Sequence, residues 1–334
     1  MAGQVKSLDH YWYSINPVSC LLWPLSLLFK FTTVVRRLLY RVGFLTSHFV
    51  PVPVIIVGNI TVGGTGKTPT VLWLAHYLRE RGYRPGIVGR GYGGRSTTWP
   101  QWVTPHSDPA LVGDEPLLLA QQSHCPVVVA PARIVAVEQL LRHSHCDLII
   151  GDDGLQHYAL QRDIEIVVVD GARRFGNGWA LPAGPLREPQ TRLEEVDIVL
   201  VNGEAREGEC SMRLEATALH PLTTAATPFD VRHFSGCRVH GVAGIGHPPR
   251  FFATLRALGM VVIEHPFPDH YRYRANDLSF ADDLPIIMTE KDAVKCRDLP
   301  IVNGWYLTVT AQMSADFTTK LATKLAQVNK RKSA

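Results

Sequence analysis

Short apolar runs alternate with amphipathic stretches of helical length over most of this chain of 334 residues. Apolar residues at spacings of three and four predict helices at 70–81, 132–142 and 188–196. Runs rich in β-branched residues predict strands at 54–57, 86–88, 127–130, 147–150, 164–170 and 198–202. Because strands and helices alternate, the sequence predicts an α/β fold with a largely parallel sheet covered by helices.

A second α/β pattern begins after a polar, mixed stretch at 203–236, which predicts a domain junction. Its predicted elements are strands at 239–243, 261–264, 286–288 and 305–309, a helix at 249–258, and a last helix with Phe317, Leu321, Leu325 and Val328 on one side. A chain of this length usually forms more than one domain. The predicted division is an N-terminal helical segment at 1–45, a larger α/β domain at 46–220 and a smaller α/β domain at 221–334.

The N-terminal segment is apolar and positively charged. Residues 1–45 hold five basic residues and one acidic residue, an excess equal to the net charge of +4 of the whole chain. Pro24 and Lys30 interrupt the apolar run, so a membrane span of about 20 apolar residues is not expected. One helical face carries Lys30, Thr33, Arg37 and Arg41, and another carries Leu27, Phe31, Val34 and Leu38. This pattern predicts a helix lying in a membrane interface over anionic lipid; the alternative is a first helix packed on the domain core.

The strongest chemical signal is a glycine-rich loop between the first predicted strand and the helix at 70–81. Its glycines let backbone N–H groups turn toward a polyphosphate, and the helix N-terminus adds a partial positive charge. Lys67 would reach the β- and γ-phosphates, and the Thr68 hydroxyl would hold Mg²⁺. The general pattern has glycine at position 61, where this chain has threonine. The predicted phosphate-binding residues, which make 46–220 a P-loop domain, are Thr61, Val62, Gly63, Gly64, Thr65, Gly66, Lys67 and Thr68.

Polar clusters lie at 89–94, 113–116, 152–154 and 182–188, beside predicted strands and helices. Ligands of open α/β sheets bind at the carboxyl ends of strands, so these clusters are expected near the site. Asp152 and Asp153 suit Mg²⁺, with helix capping as the alternative. Asp114 could take part in chemistry or cap the following helix, and His270 could assist proton transfer or lie in a surface loop.

Other motifs exclude classes of function. The six scattered cysteines offer neither a zinc site nor a secreted disulfide framework, which fits a reducing cytosolic setting. The sequence Thr-Glu-Lys-Asp at 289–292 differs from the guanine-reading N-K-x-D, so a GTPase is disfavoured. The glycines at 89–94 lack G-x-G-x-x-G order, which disfavours a dinucleotide site.

Taken in order along the chain, these motifs resemble one family, the tetraacyldisaccharide 4′-kinase of lipid A biosynthesis. The resemblance spans about residues 12–325, and threonine at position 61 is also what this family shows. The segments that carry it are 59–69, 89–93, 113–116, 152–157, 181–188, 267–271 and 289–292.

The resemblance implies an ATP- and Mg²⁺-dependent lipid kinase, peripheral on the cytoplasmic face of the inner membrane of a Gram-negative bacterium. It would phosphorylate the 4′-hydroxyl of a tetraacylated glucosamine disaccharide 1-phosphate, giving lipid IVA, with no nucleic acid and no obligate protein partner. By resemblance, Asp114 accepts the hydroxyl proton with His270 beside it, which would require the second domain to close over the first. The other implied roles are ATP binding for Lys67, Mg²⁺ binding for Thr68 and Asp152, and substrate binding for Arg90, Asp153 and Arg187, with the split between Asp152 and Asp153 left open.

The rival hypothesis is a membrane-partitioning or regulatory ATPase, which also combines a phosphate loop with an amphipathic helix. Its deviant loop reads K-G-G-x-G-K-[ST], and this chain has Val62 where that pattern has its first lysine. Such a switch would hydrolyse ATP without a small-molecule acceptor.

Overall fold

The computed structural model describes residues 8–222 and 227–333, and the chain divides into two compact units. The first unit consists of Met1–Lys67, Cys146–Arg213 and Met313–Ala334, and the second of Thr68–His145 and Leu214–Gln312. Both units are therefore built from segments that are separate in sequence. The contiguous division at positions 45 and 220 stays a prediction of the sequence.

The helices of the described residues are α1 (Pro17–Arg41), α2 (Lys67–Glu80), α3 (Pro109–Val112), α4 (Asp114–Gln122), α5 (Arg133–His143), α6 (Pro248–Ala257), α7 (Glu290–Cys296) and α8 (Ala315–Ser333). The strands are β1 (Val54–Gly58), β2 (Pro85–Gly89), β3 (Gln101–Val103), β4 (Val127–Val129), β5 (Leu148–Asp152), β6 (Ile164–Asp170), β7 (Ile198–Asn202), β8 (Cys210–Pro221), β9 (Arg238–Ala243), β10 (Val261–Pro266), β11 (Ile286–Thr289) and β12 (Gly304–Met313).

The sheet of the first unit is parallel. Strand β1 lies between β5 and β6, and β7 pairs with the other edge of β6. Every residue of β1, β5 and β6 is buried, which explains why these strands are continuous apolar runs rather than alternating ones. The predicted parallel α/β core is confirmed here.

The second unit contains two strand groups. In one, β2 pairs parallel with β4, which pairs antiparallel with β3; in the other, β10, β9, β11 and β12 lie side by side in parallel. Phe252 and Leu255 of α6 pack on β9 in a buried apolar cluster that also includes Ile287 and Leu307. This group is the second α/β pattern that the sequence predicts.

One predicted helix is absent, and two observed elements were not predicted. Residues 188–196 form only a 3₁₀ turn at Gln190–Glu194, because Glu188 and Arg192 are drawn into a buried ion-pair network rather than onto a helix face. The polar stretch 203–236, predicted as a domain junction, contains strand β8, whose start pairs with β7. Helix α7 begins within the stretch compared with a guanine-reading motif and continues to Cys296.

Helix α1 is continuous through Pro24 and ends at Arg41. Among the described residues it is the one helix long and apolar enough to cross a membrane by length and composition, and 11% of its most apolar window is buried. The Ser26 hydroxyl donates to the Ala180 carbonyl (2.7 Å) and accepts from the Ala183 amide (2.9 Å), which ties the helix to its own unit. These bonds hold one side of α1 against its own unit, and both the membrane-interface helix and the helix packed on the domain core stay predictions.

One side chain of the predicted cationic face has another role. Arg37 is only 17% exposed and forms an ion pair with Glu195, to which Arg41 also binds at 3.1 Å. Apolar side chains such as Leu21 and Phe31 are instead exposed, by 79% and 65%. The exposed surface of α1 is thus dominated by apolar side chains, with part of its positive charge neutralised by the protein.

Candidate active site

Polar side chains follow the parallel strands of the first unit at their carboxyl ends. Asn59 follows β1, Asp152 ends β5, and Asp170 and Asn202 end β6 and β7. The register pairs Val57 with Asp152 and Asp170 with Asn202, so these ends form one edge of the sheet. The predicted location of the site at a carboxyl edge agrees with this arrangement.

The glycine-rich loop begins at this edge and is held open from several sides. Gly66 has a φ of 105°, and a Cβ there would lie 2.7 Å from a methionine methyl group, so only glycine fits. Asn202 donates its side-chain N–H to the Thr65 carbonyl (3.2 Å), and Arg173 donates to the Gly64 carbonyl (2.6 Å). These bonds engage carbonyl groups of the loop and not its N–H groups. A loop held in this way suits phosphate, which binds to backbone N–H groups.

Lys67 is the first residue of α2 and the last of the first unit's opening segment. Its Nζ lies 3.8 Å from Oδ1 of Asp153, and Arg187 donates to both carboxylate oxygens of Asp153 at 3.1 and 3.0 Å. Two cations therefore converge on one carboxylate. Asp153 also has a φ of 46°, a strained backbone conformation that is concentrated at functional sites.

Asp152 and Asp153 do not cap a helix, since residues 153–159 form turns. The Asp152 carboxylate is buried at the end of β5 and offers the oxygen donors that Mg²⁺ prefers. Within 8–222 and 227–333, no group of three or more His, Cys, Asp or Glu side chains could hold a metal ion. Magnesium bound with a nucleotide needs only one or two protein ligands, because phosphates and water supply the rest, so the Asp152 carboxylate fits such an ion.

The second unit brings together Asp114 and His270, which are 156 positions apart. Nδ1 of His270 lies 2.8 and 3.0 Å from the two carboxylate oxygens of Asp114. Asp114 is only 4% exposed and is itself the first residue of α4, whose N-cap is Gly113, so it does not cap the helix that follows. Both residues belong to one unit, so their contact does not need the predicted closure of one domain over another.

Backbone geometry fixes both partners. Gly113 precedes Asp114 with a φ of 96°, and a Cβ there would lie 2.4 Å from the Tyr92 carbonyl oxygen. His270 has a φ of 59°, and its ring packs edge-on against Tyr92 at 5.1 Å. His270 is thus held at a partly buried position rather than in a free surface loop.

The charges around this pair keep Asp114 ionised. Burial alone raises the pKa of Asp114, but the hydrogen bond with His270 and the nearby Lys291 and Lys295 lower it to about 2. For His270, burial lowers the pKa, whereas the hydrogen bond with Asp114 raises it, and the net pKa lies above the usual value. An ionised carboxylate beside an imidazole can accept a proton from a hydroxyl group.

A cavity of about 490 Å³ opens beside the pair within the second unit. Asp114 and His270 line it together with Arg272, Lys295 and Arg297. Arg90 follows β2 and is exposed, and it is not among the residues lining this cavity. Its predicted role in substrate binding stays a prediction.

Comparison with known proteins identifies the family. The model of the tetraacyldisaccharide-1-P 4′-kinase family matches residues 18–326. The chain belongs to this family. It is 51% identical to the tetraacyldisaccharide 4′-kinase of Nitrosococcus oceani over 99% of its length and 98% of the relative. It is 53% identical to that of Alkalilimnicola ehrlichii over 92% of both chains.

A solved structure is also similar. The "apo" form of LpxK from Aquifex aeolicus, crystallised in complex with ATP, matches with a TM-score of 0.78 and 29% identity. The match covers 93% of this chain and 99% of that one. The predicted family and fold class are confirmed.

Sequence reasoning missed several side chains of this family member's site. Arg173 and Asn202 support the phosphate loop, and Arg173 is held in place by Asp170 at 3.1 Å. Lys291 lies beside His270, whereas its motif at 289–292 entered the sequence prediction only through the family resemblance and its difference from a guanine-reading motif, with no role for the lysine. Position at a strand end could have identified Asp170 and Asn202, whereas nothing local connects Lys291 with His270.

Proposed function

We infer that this chain transfers the γ-phosphoryl group of ATP to the 4′-hydroxyl of a tetraacylated glucosamine disaccharide 1-phosphate. The observation that carries the inference is the Asp114–His270 contact of 2.8 Å in a chain of this kinase family. A kinase with an alcohol acceptor needs a group that receives the hydroxyl proton. A nucleotide switch without such an acceptor has no use for this pair.

The phosphate loop supplies the donor site. Backbone N–H groups of residues 63–66 and the Lys67 ammonium bind the β- and γ-phosphates and neutralise the charge that develops on them, whereas the Val62 N–H donates to the Pro185 carbonyl at 2.8 Å. Arg187 and Lys67 already converge on Asp153, so this carboxylate orients the two cations for phosphate or substrate. The crystal structure of the relative with ATP supports the choice of nucleotide.

Magnesium completes the donor site. The Thr68 hydroxyl and the Asp152 carboxylate would hold the ion. When bound, Mg²⁺ neutralises charge on the β- and γ-phosphates. Asp153 serves substrate and cation positioning instead, because it is engaged by Lys67 and Arg187.

Asp114 receives the proton. As the acceptor oxygen bonds to the γ-phosphorus, the bond from this phosphorus to the β,γ-bridging oxygen breaks and ADP leaves with that electron pair. The acceptor O–H bond breaks, and its proton passes to the ionised Asp114 carboxylate. His270, hydrogen-bonded through Nδ1, orients the carboxylate during the transfer.

The acceptor dependence of ATP turnover separates this function from a partitioning ATPase. ADP formation by the full chain is expected to rise at least tenfold with the acylated disaccharide 1-phosphate in detergent micelles, with one phosphorylated lipid formed per ADP. The matched control is the same acceptor lacking a free 4′-hydroxyl, which should give basal turnover. Equal turnover with and without acceptor, and no lipid product, would overturn the proposal.

We also propose that α1 places the enzyme on the cytoplasmic face of the inner membrane, where its lipid acceptor resides. The exposed apolar side chains of α1 and its contacts with residues 180 and 183 of the same unit support a helix lying along the surface. Exposed basic residues, Lys30 and Arg36, are suited to anionic headgroups.

Leu21→Asp combined with Phe31→Asp is expected to weaken binding to anionic vesicles by about a hundredfold or more. Burying each apolar side chain in the interface contributes about 1.5–3 kcal/mol, and both contributions are lost. Vesicle flotation measures the change. Val302→Asp is the matched control, because Val302 is 87% exposed in the second unit and should not affect flotation. Unchanged flotation of the double variant would show that α1 is not the membrane-binding element.

A further inference from the structure

Helix α7 presents two lysines, Lys291 and Lys295, to the first turn of α4. The Lys291 ammonium lies 2.9 Å from Oε1 of Glu115 and 3.1 Å from Oδ1 of Asp269. It also lies 3.4 Å from Nε2 of His270. One partly buried ammonium therefore joins α4, the loop before His270 and the imidazole itself.

The position of α7 is fixed at its N-terminus. The Thr289 hydroxyl accepts from the backbone N–H of Asp292 (3.1 Å), a side-chain N-cap. The fully buried Asp292 carboxylate accepts from the Gly244 amide (3.0 Å) and lies 2.8 Å from the ammonium of Lys295. Because the first turn of α7 is anchored in this way, Lys291 is held against His270.

The two ring nitrogens of His270 face opposite charges. Nδ1 faces the Asp114 carboxylate, which only accepts hydrogen bonds, and Nε2 faces the Lys291 ammonium, which only donates them. In the neutral imidazole the proton therefore lies on Nδ1, and the Nε2 lone pair points to the ammonium. A further proton then adds to Nε2 only when the contact with the Lys291 ammonium is given up.

Lys291 remains charged in this position. Burial lowers the pKa of its ammonium, but Glu115, Asp114 and Asp269 raise it well above its usual value. A permanent positive charge thus lies on the Nε2 side of His270.

We propose that Lys291 is the positioning residue of the Asp114–His270 pair, closing Nε2 of His270 so that the acceptor's proton passes to Asp114 and not to the imidazole. The proposal rests on the proposed function. It gives a role to the Thr-Glu-Lys-Asp segment at 289–292, to which neither the phosphate loop nor the Asp114–His270 pair assigns one. Lys291 itself touches neither reacting atom in this mechanism.

The charges that face His270 determine the direction of its titration. They come from Asp114 and Glu115 on α4, Lys291 and Lys295 on α7, and Asp269 in its own loop, with the Tyr92 ring against one edge. Asp114 and Asp269 raise the pKa of His270, and Lys291 lowers it. Removing the lysine charge should therefore raise the midpoint of His270 titration, and removing the Asp269 charge should lower it.

Histidine-specific ¹⁵N NMR tests the proposal on the full chain, with the His270 signals assigned by their loss in His270→Gln. The unmodified protein should show the neutral imidazole protonated at Nδ1. Lys291→Met should raise the titration midpoint by about one pH unit or more and weaken the preference for Nδ1–H. Asp269→Asn should shift the midpoint the other way, and Lys291→Arg should keep it near the original value.

The pH profile of kcat supplies the second readout. Protonated His270 makes Asp114 a weaker base, so the acidic limb of the profile should follow the titration of His270. Lys291→Met should lose about tenfold or more at neutral pH and recover partly at alkaline pH, with Lys291→Arg restoring activity. Lys324→Met removes a lysine paired with Asp197 in the first unit and is the matched control. It should not shift the acidic limb of the pH profile of kcat.

A structural role alone predicts a different result. Loss of rate that is equal at every pH, or shifts of the same sign in Lys291→Met and Asp269→Asn, would overturn the proposal. Should Lys291→Met fail to fold, Asp269→Asn and Lys291→Arg still test the predicted signs. The NMR titration does not require the lipid acceptor, so it tests the role of Lys291 independently of kinase activity. A failure of the proposed function would instead appear as the absence of phosphorylated lipid in the kinase assay.

Discussion

Asp114→Asn is expected to lower kcat by about 10²–10⁴ while changing the KM for ATP little, because a positioned general base contributes about that factor to proton transfer. His270→Gln is expected to lower kcat less, since it removes only the group that orients the carboxylate at 2.8 Å. The double variant should be less impaired than the product of the two single losses, because residues that act as one unit are not additive. Steady-state kinetics of both single variants and the double variant measure this.

Stability provides the control for this prediction. The pKa of Asp114 is lowered to about 2, so its charge contributes to the free energy of unfolding above the unfolded pKa of about 4 and this contribution is lost as pH falls toward 2. Asp114→Asn should therefore lower Tm at neutral pH as well as the rate. Rates measured well below Tm separate the two effects. Strictly multiplicative rate losses, or a lower Tm with normal kcat, would show that Asp114 is structural.

Lys67→Met is expected to lower kcat by about 10²–10³ and to leave the fold intact. The lysine neutralises charge on the transferred phosphoryl group, and loss of one such electrostatic contact costs about this factor, judged from the removal of oxyanion-binding donors. The fold should persist because Asp153 retains its ion pair with Arg187 at 3.0 Å after Lys67 is replaced. Kinase assays and thermal melting measure the two effects.

Lys67→Arg is the informative companion variant. It keeps the charge but replaces a compact ammonium with a planar guanidinium, so it should restore little activity. Lys324→Met controls for the loss of a lysine elsewhere and should retain normal kcat. Near-normal activity in folded Lys67→Met would exclude the phosphate-loop assignment.

The strands of both units were predictable because local pattern and tertiary environment agree. Buried parallel strands require continuous apolar runs, so β1, β6 and β7 lie within one residue of the ranges that the sequence predicts. Helix α2 begins three residues earlier than predicted, at Lys67. Pro69 is tolerated there because the first turn of a helix does not need its N–H.

Other elements were missed although a local signal exists. In β8, Cys210, Met212 and Leu214 alternate with polar residues, a period of two that overall polarity obscured. For helix α7 the local signal is Thr289 at its N-cap with Asp292 three residues later, a sequence pattern typical of a helix N-terminus. The helix predicted at 188–196 failed for the opposite reason, since the buried pairing of Arg192 with Glu188 and Glu165 overrides helix propensity.

The sequence by itself determined the α/β class and the family and predicted the phosphate loop, because each depends on the order of residues along a short segment or on several such segments in succession. It also supplied Asp114 and His270 as a pair through resemblance. Only the tertiary structure decided that both lie in one unit, that Arg37 pairs with Glu195, and that Lys291 closes the far side of the imidazole. These contacts join residues separated by 21 to 158 positions. A local sequence pattern does not specify which distant charged side chains folding brings within hydrogen-bonding distance, so these contacts could not be predicted.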